Sequence, residues 1–171
     1  MYIFLIINFF LEMFFGRLFS YQNINALFFL VSLILIYPIL TNSKKQYFYI
    51  LFISGFIYDI VITNIISINS LLFLLIGYIN TLYVQNFNDK FINNFVFLNL
   101  ILILYKALLY IFMIMVEISN FNILNFACNL LITLLINSIY YIFISIFIRK
   151  IKRWSYAWIT RSWKCKKEIR K

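Results

Sequence analysis

Glu12, Asp59 and Lys106 are ionisable side chains set deep inside runs of sequence that are otherwise apolar. A charge in such surroundings costs about 2.5–3.5 kcal/mol even on lenient insertion scales, so it needs a partner or a task. A buried carboxylate can act as a general base, carry protons along a polar path, or pair with a cation. The first needs companions that this chain lacks: it has no histidine, no carboxylates clustered at metal-binding spacing and no glycine-rich phosphate loop. No catalytic, metal or cofactor site is therefore expected, and the protein is not expected to be an enzyme. Ion pairing is the simpler use. Lys106 is the candidate counter-ion for Asp59 or Glu12, and Asp59 and Lys106 are expected on helices that touch. Arg17 and Glu117 form a second candidate pair.

Spacing groups these residues with other polar ones. Asn8, Glu12 and Gly16 recur every four residues, as do Gly55, Asp59 and Thr63. Further along, Asn99, Lys106, Tyr110 and Glu117 share a helical face, and Asn125, Asn129, Thr133, Asn137 and Tyr141 form a stripe. Two readings fit such stripes. In one they are interhelical glue, each hydrogen bond contributing about 0.6 kcal/mol and glycine permitting close backbone approach. In the other they line a hydrophilic pocket or proton path, and a cavity of a few hundred Å³ reached by Glu12, Asp59, Asn129 and Lys106 is expected.

The elements that must hold these residues are membrane helices. The 171-residue chain is 65% hydrophobic with a mean hydropathy of +0.96, well above the roughly 45–50% of soluble domains. At roughly 20 helical residues per bilayer crossing, spans are expected near 3–20, 24–41, 46–64, 67–85, 92–116 and 121–148, giving an all-α fold of about six transmembrane helices. A five-span arrangement remains open, with the first segment lying along the interface. The N-terminus lacks the basic region and cleavage site of a signal peptide, so its first helix is read as retained. Gln46 to Gln85 is nearly unbroken apolar sequence, about 60 Å as one helix. The chain must therefore reverse within it, and "TNIISINS" (Thr63 to Ser70) is where polar and β-branched residues permit a tight hairpin.

Charge sets the orientation. Of 15 basic residues, ten lie between Arg149 and Lys171, and Lys44, Lys45 and Lys90 fall in loops on that same side. Both termini are thus expected in the cytoplasm. Residues 149–171 form a separate basic tail carrying Trp154, Trp158 and Trp163. Its apolar positions recur at helical spacing, which suits an interfacial helix on anionic lipid; a solvated tail without fixed structure is the plainer reading. The positive charge thus has a membrane surface to meet, and no nucleic-acid partner is expected. Cys128 and Cys165 differ too much in setting to form a disulfide framework.

A glycine four residues before an aspartate in an apolar third span ("FISGFIYDIVITN"), a short basic loop ahead of it, a tight hairpin and a fourth span ending in "IGYI" resemble the MreD family of rod shape-determining proteins. The second span "NALFFLVSLILIYPIL" and the closing "FIRKIKRW" extend the resemblance over most of the chain. It implies Gly55, Asp59, Ser67 and Gly77 as the motif positions, although family hairpins usually carry glycine where this chain has Ser67. It further implies a non-enzymatic scaffold of the elongasome in a bacterial inner membrane, acting in cell shape and peptidoglycan synthesis. The implied partners are MreC, MreB, RodA and a class B penicillin-binding transpeptidase. The family's similarity to energy-coupling-factor S-components implies an alternative, a subunit binding a small vitamin-type solute.

Overall fold

The computed structural model describes residues 2–18, 26–37, 44–63, 67–86, 91–116 and 122–168, with side chains of the last stretch described as far as Ile146. Among the described residues the long elements are helices: α1 (Tyr2–Leu18), α2 (Phe28–Ile36), α3 (Lys44–Tyr58), α4 (Ile68–Asn86), α5 (Phe91–Met115) and α6 (Ile123–Glu168). A π-helical segment, Asp59–Thr63, continues α3. Among the described residues, three stretches are long and apolar enough to cross a bilayer, Lys44–Ile62, Phe91–Met115 and Ile123–Ile146, and Ile68–Val84 is a shorter apolar helix. The chain divides into two compact units, Met1–Ser138 and Ile139–Lys171. In the second, Ile139, Ile142, Phe143 and Ile146 are exposed and the Ser145 hydroxyl donates to the Ile142 carbonyl.

Within the first unit, α4 illustrates how each helix is sorted. Asn69, Phe73, Ile76 and Asn80 recur at helical spacing and are buried, while Leu71, Leu75, Tyr78 and Leu82 on the opposite side are exposed. The exposed face is apolar and the buried face holds the polar groups. That inversion suits a lipid solvent, which rewards neither burial of leucine nor exposure of an amide.

The short helix α2 lies at the centre. Phe28 to Leu33 are all buried, with Ala26, Leu27, Ile34, Ile36 and Tyr37 beside them. At 1.5 Å per residue its nine residues span about 13 Å, so its described part is less than half a bilayer deep. The remainder of the span expected over 24–41 lies outside the described residues. The residues flanking it on both sides, Leu27 and Tyr37, are buried, so its first N–H groups need partners from the protein.

The α3–α4 hairpin packs with its backbones in close approach. A Cβ added at Gly55 would stand 2.8 Å from Ser70 N and 2.9 Å from the Asn69 carbonyl oxygen, and would overlap Ser70 Cα. At Gly77 an added Cβ would overlap the Leu51 side chain and lie 3.4 Å from Tyr47 Cε1. The first obstacle is backbone and cannot yield; the second is a side chain and can turn. Ser67, just ahead of α4, takes a left-handed conformation with φ 72°. The backbone thus adopts at Ser67 the geometry that glycine serves most cheaply.

A left-handed residue with a side chain costs about 1–2 kcal/mol, partly offset because glycine loses more chain entropy on folding. Ser67→Gly is therefore expected to stabilise the protein by about 0.5 kcal/mol. A small rise in the thermal unfolding midpoint in detergent checks this, and an unchanged or lower midpoint contradicts it.

Candidate functional site

Two buried carboxylates hold the structure together at two helix starts. Asp59 stands at the first position of the π-helical segment, where the widened turn follows α3. Its Oδ1 accepts hydrogen bonds from the Asn69 N–H at 3.1 Å and the Asn69 side-chain amide at 2.8 Å, and its Oδ2 accepts from the Ser70 N–H at 3.2 Å. Asn69 and Ser70 are in the first turn of α4. The carboxylate therefore caps α4 from the neighbouring helix, satisfying N–H groups that no preceding turn can reach and meeting the positive end of the helix dipole.

Gly55 makes that reach possible. It faces the same two residues, Asn69 and Ser70, one turn before Asp59. With no Cβ there, the α4 backbone comes within range of a short aspartate side chain. The four-residue spacing of Gly55 and Asp59 is thus a unit of close approach and cap. The Tyr105 hydroxyl of α5 donates to Asn69 Oδ1 at 2.6 Å, so Asn69 joins α3, α4 and α5 in one chain of bonds.

Glu12 does the same for α2. Its Oε2 accepts from the Phe29 N–H at 2.7 Å and its Oε1 from the Tyr58 hydroxyl at 2.5 Å. The N-cap residue of α2, Leu27, has no side chain able to cap, and its own N–H donates to Asn137 Oδ1 of α6 at 3.1 Å. At the other end, the Asn80 amide donates to the Ile34 carbonyl and to the Tyr47 hydroxyl, both at 3.1 Å. Helix α2 is held by side chains from α1, α4 and α6. Between the two carboxylates, Phe29, Tyr58, Phe73 and Tyr105 form an aromatic cluster, with successive centroids 5.6–6.4 Å apart.

Lys106 lies within electrostatic range of Glu12. The residue before it, Tyr105, donates to Asn69, whose side-chain amide donates to Asp59. Arg17 is exposed, and Glu117 lies outside the described residues. The α6 stripe points inward over part of its length only. Thr133 and Asn137 are buried, Asn129 is half-buried and Asn125 is exposed; Asn125 sits in the first turn of α6, where the Asn122 side chain accepts its N–H at 3.1 Å. On α5, Asn99 accepts from the Ser138 hydroxyl at 3.1 Å. The side chains of Thr63, Trp154, Trp158 and Trp163 lie outside those described. Of the four residues expected around a solute cavity, Glu12 lines one of about 270 Å³ together with Tyr58 and Arg17; Asp59, Lys106 and Asn129 are not in its lining.

Sequence reasoning missed Tyr58, Asn69, Asn80 and Tyr105 as partners. Asn69 and Asn80 did carry a signal, since they share a helical face with Phe73 and Ile76. The tyrosines carried none, being common on both sides of membrane helices. A protein-family model described as rod shape-determining protein MreD matches residues 1–151. No curated protein and no solved structure matches the chain.

Removing the Asp59 carboxylate leaves two buried backbone donors and an amide without their acceptor, at about 1–3 kcal/mol each. Asp59→Ala is expected to lower the unfolding midpoint in detergent steeply and to reduce accumulation in membranes; wild-type values for both would refute the capping role. Among the glycines, Gly55→Ala is expected to cost about 1–3 kcal/mol through overpacking against backbone. Gly77→Ala, meeting a side chain, should cost less. Thermal midpoints in the reverse order would contradict the packing described.

Proposed function

The chain belongs to the MreD family of rod shape-determining proteins, and on that premise we propose that it serves as a non-enzymatic membrane scaffold of the cell-elongation machinery. Family membership gives a role in rod-shape determination, association with other rod-shape components and, with three long apolar helices, a bacterial membrane protein. The finer reading is ours. In it the chain crosses the inner membrane about six times with both termini in the cytoplasm, and residues 149–171 rest on anionic lipid through their basic and tryptophan side chains. Residues 152–171 lie beyond the stretch that the family model matches.

The observation that carries the scaffold reading is the match over residues 1–151. The internal chemistry agrees with it. The hydrogen bonds of Glu12, Asp59, Asn80 and Asn137 go to helix ends, which is work of support. The outer faces are apolar: Phe52, Ile53, Phe56 and Ile57 on α3 and Leu71, Leu75 and Tyr78 on α4 are exposed. Such faces can dock against other membrane helices through packing. The proposed partners are MreC, MreB, RodA and a class B penicillin-binding transpeptidase. Gly55, Asp59, Ser67 and Gly77 act in this reading by fixing the hairpin whose outer faces are presented.

Depletion in a rod-shaped host, with co-purification from solubilised membranes, tests the proposal. Rounded cells and recovery of MreC with the tagged protein are expected. Unchanged rods after depletion, or absence of MreC from the purified material, would overturn it.

A further inference from the structure

Beyond Tyr105 on α5 and ahead of Thr133 on α6, the two helices run together without a core. No residue from Lys106 to Val116 or from Asn122 to Ile132 is buried, whereas Leu98, Ile101, Leu102 and Tyr105 before the first stretch, and Thr133 and Asn137 after the second, are. Side chains join the helices at two levels. Asn99 accepts from the Ser138 hydroxyl, and about three turns further along α5 the Tyr110 hydroxyl accepts the Asn122 N–H at 2.8 Å while its ring stacks on Phe126 at 4.4 Å. Between these levels the facing surfaces stay open. Leu131, Ala127 and Leu124 share the helical face by which Ser138 meets α5, and all three are exposed. Ile103, beside Asn99 and Lys106 on the facing side of α5, is exposed too. A groove therefore separates the helices, with apolar walls and the Lys106 ammonium between its two bridges.

Lys106 makes no hydrogen bond or salt bridge among the described residues. Glu12 lies within electrostatic range, but its oxygens bond the Phe29 N–H and the Tyr58 hydroxyl, so it offsets the charge from a distance and accepts no ammonium proton. In hydrocarbon such an ammonium still needs an acceptor. Lipid phosphate is out of reach, because Lys106 stands nine residues before Met115 and fifteen after Phe91, the ends of α5. Those intervals are about 13 Å and 22 Å of helix, more than a four-carbon stem covers. A second copy of this chain is no better placed, since Glu12 and Asp59 are buried against helix ends. We propose that the α5–α6 groove docks a membrane helix of another protein, apolar along its length and carrying an aspartate or glutamate that pairs with Lys106. The short side chain of Ala127 lets the backbone of that helix come close. This inference rests on the membrane-scaffold reading and adds the chemistry of a partner such a scaffold would hold.

The test uses the full-length chain in phosphatidylcholine vesicles with single-span leucine–alanine peptides of about 22 residues that differ only at the central position, which is Glu, Gln, Lys or Leu. Energy transfer between labelled peptide and labelled protein is expected to show the Glu peptide associating about ten-fold more strongly than the Gln and Leu peptides, the effect of one charge-assisted contact, and the Lys peptide least. Lys106→Met is expected to abolish this order while keeping or raising the thermal midpoint, since it removes a charge that no described residue bonds. Ala127→Trp fills the groove from an exposed position and is expected to weaken all four peptides. Equal association of the four peptides, or an order that survives Lys106→Met, would overturn the proposal. So would a midpoint lowered by Lys106→Met, the mark of an internal counter-ion for Glu12. A Lys106-dependent rise of the midpoint with phosphatidylglycerol, or Lys106-dependent transfer between two copies of the chain, would assign the lysine to a lipid or to a second copy and overturn it as well. The vesicles hold no rod-shape component, so the peptide order and the depletion phenotype can fail independently.

Discussion

A helix that begins buried within the protein leaves its first N–H groups without water and without an earlier turn to accept them. This chain meets that requirement twice in the same way, by bringing a carboxylate from an adjacent helix. Asp59 meets α4 and Glu12 meets α2. Both acids would be expensive if left alone in hydrocarbon. Placed against the positive end of a helix dipole, each instead removes a penalty that the backbone would otherwise carry. The costly residues and the costly helix ends are each other's remedy, and the glycine at position 55, the left-handed serine at 67 and the aromatic cluster follow from bringing them together.

Much of this was legible in the sequence, and the illegible part has a physical cause. Apolar run lengths gave the helices, and the length of the Gln46–Gln85 run required the reversal between α3 and α4. The four-residue spacing of Gly55 and Asp59 pointed to one helical edge. The partner of that edge was not visible, because charge reasoning looks for an opposite charge and Asp59 is met by backbone amides ten residues downstream. The same habit directs attention to Lys106 as a counter-ion while passing over Asn69, a neutral residue that read as part of a turn. The depth of α2 was hidden for another reason. Leu30, Val31 and Leu33 would read identically whether they faced lipid or protein, and only the folded structure reveals that they are buried.

The polar stripe of α6 shows where periodicity stops being informative. Its residues are evenly spaced from Asn125 to Asn137, yet only the later ones are enclosed. A helical period fixes direction around an axis and says nothing about how far along that axis neighbours extend. The inward and outward faces of α4, by contrast, were separable by chemistry, because amides and leucines have opposite needs in lipid.

The bond from Leu27 to Asn137 joins positions 110 residues apart. At the usual pace of translation, about 5–20 residues per second, on the order of ten seconds separate their emergence from the ribosome. Helix α2 is thus made before the residue that satisfies one of its ends, and is completed only when α6 arrives. One of the first helices made is among the last parts finished, so a nascent chain arrested before α6 would carry a defect at an end of α2, a signature by which incomplete copies differ from whole ones.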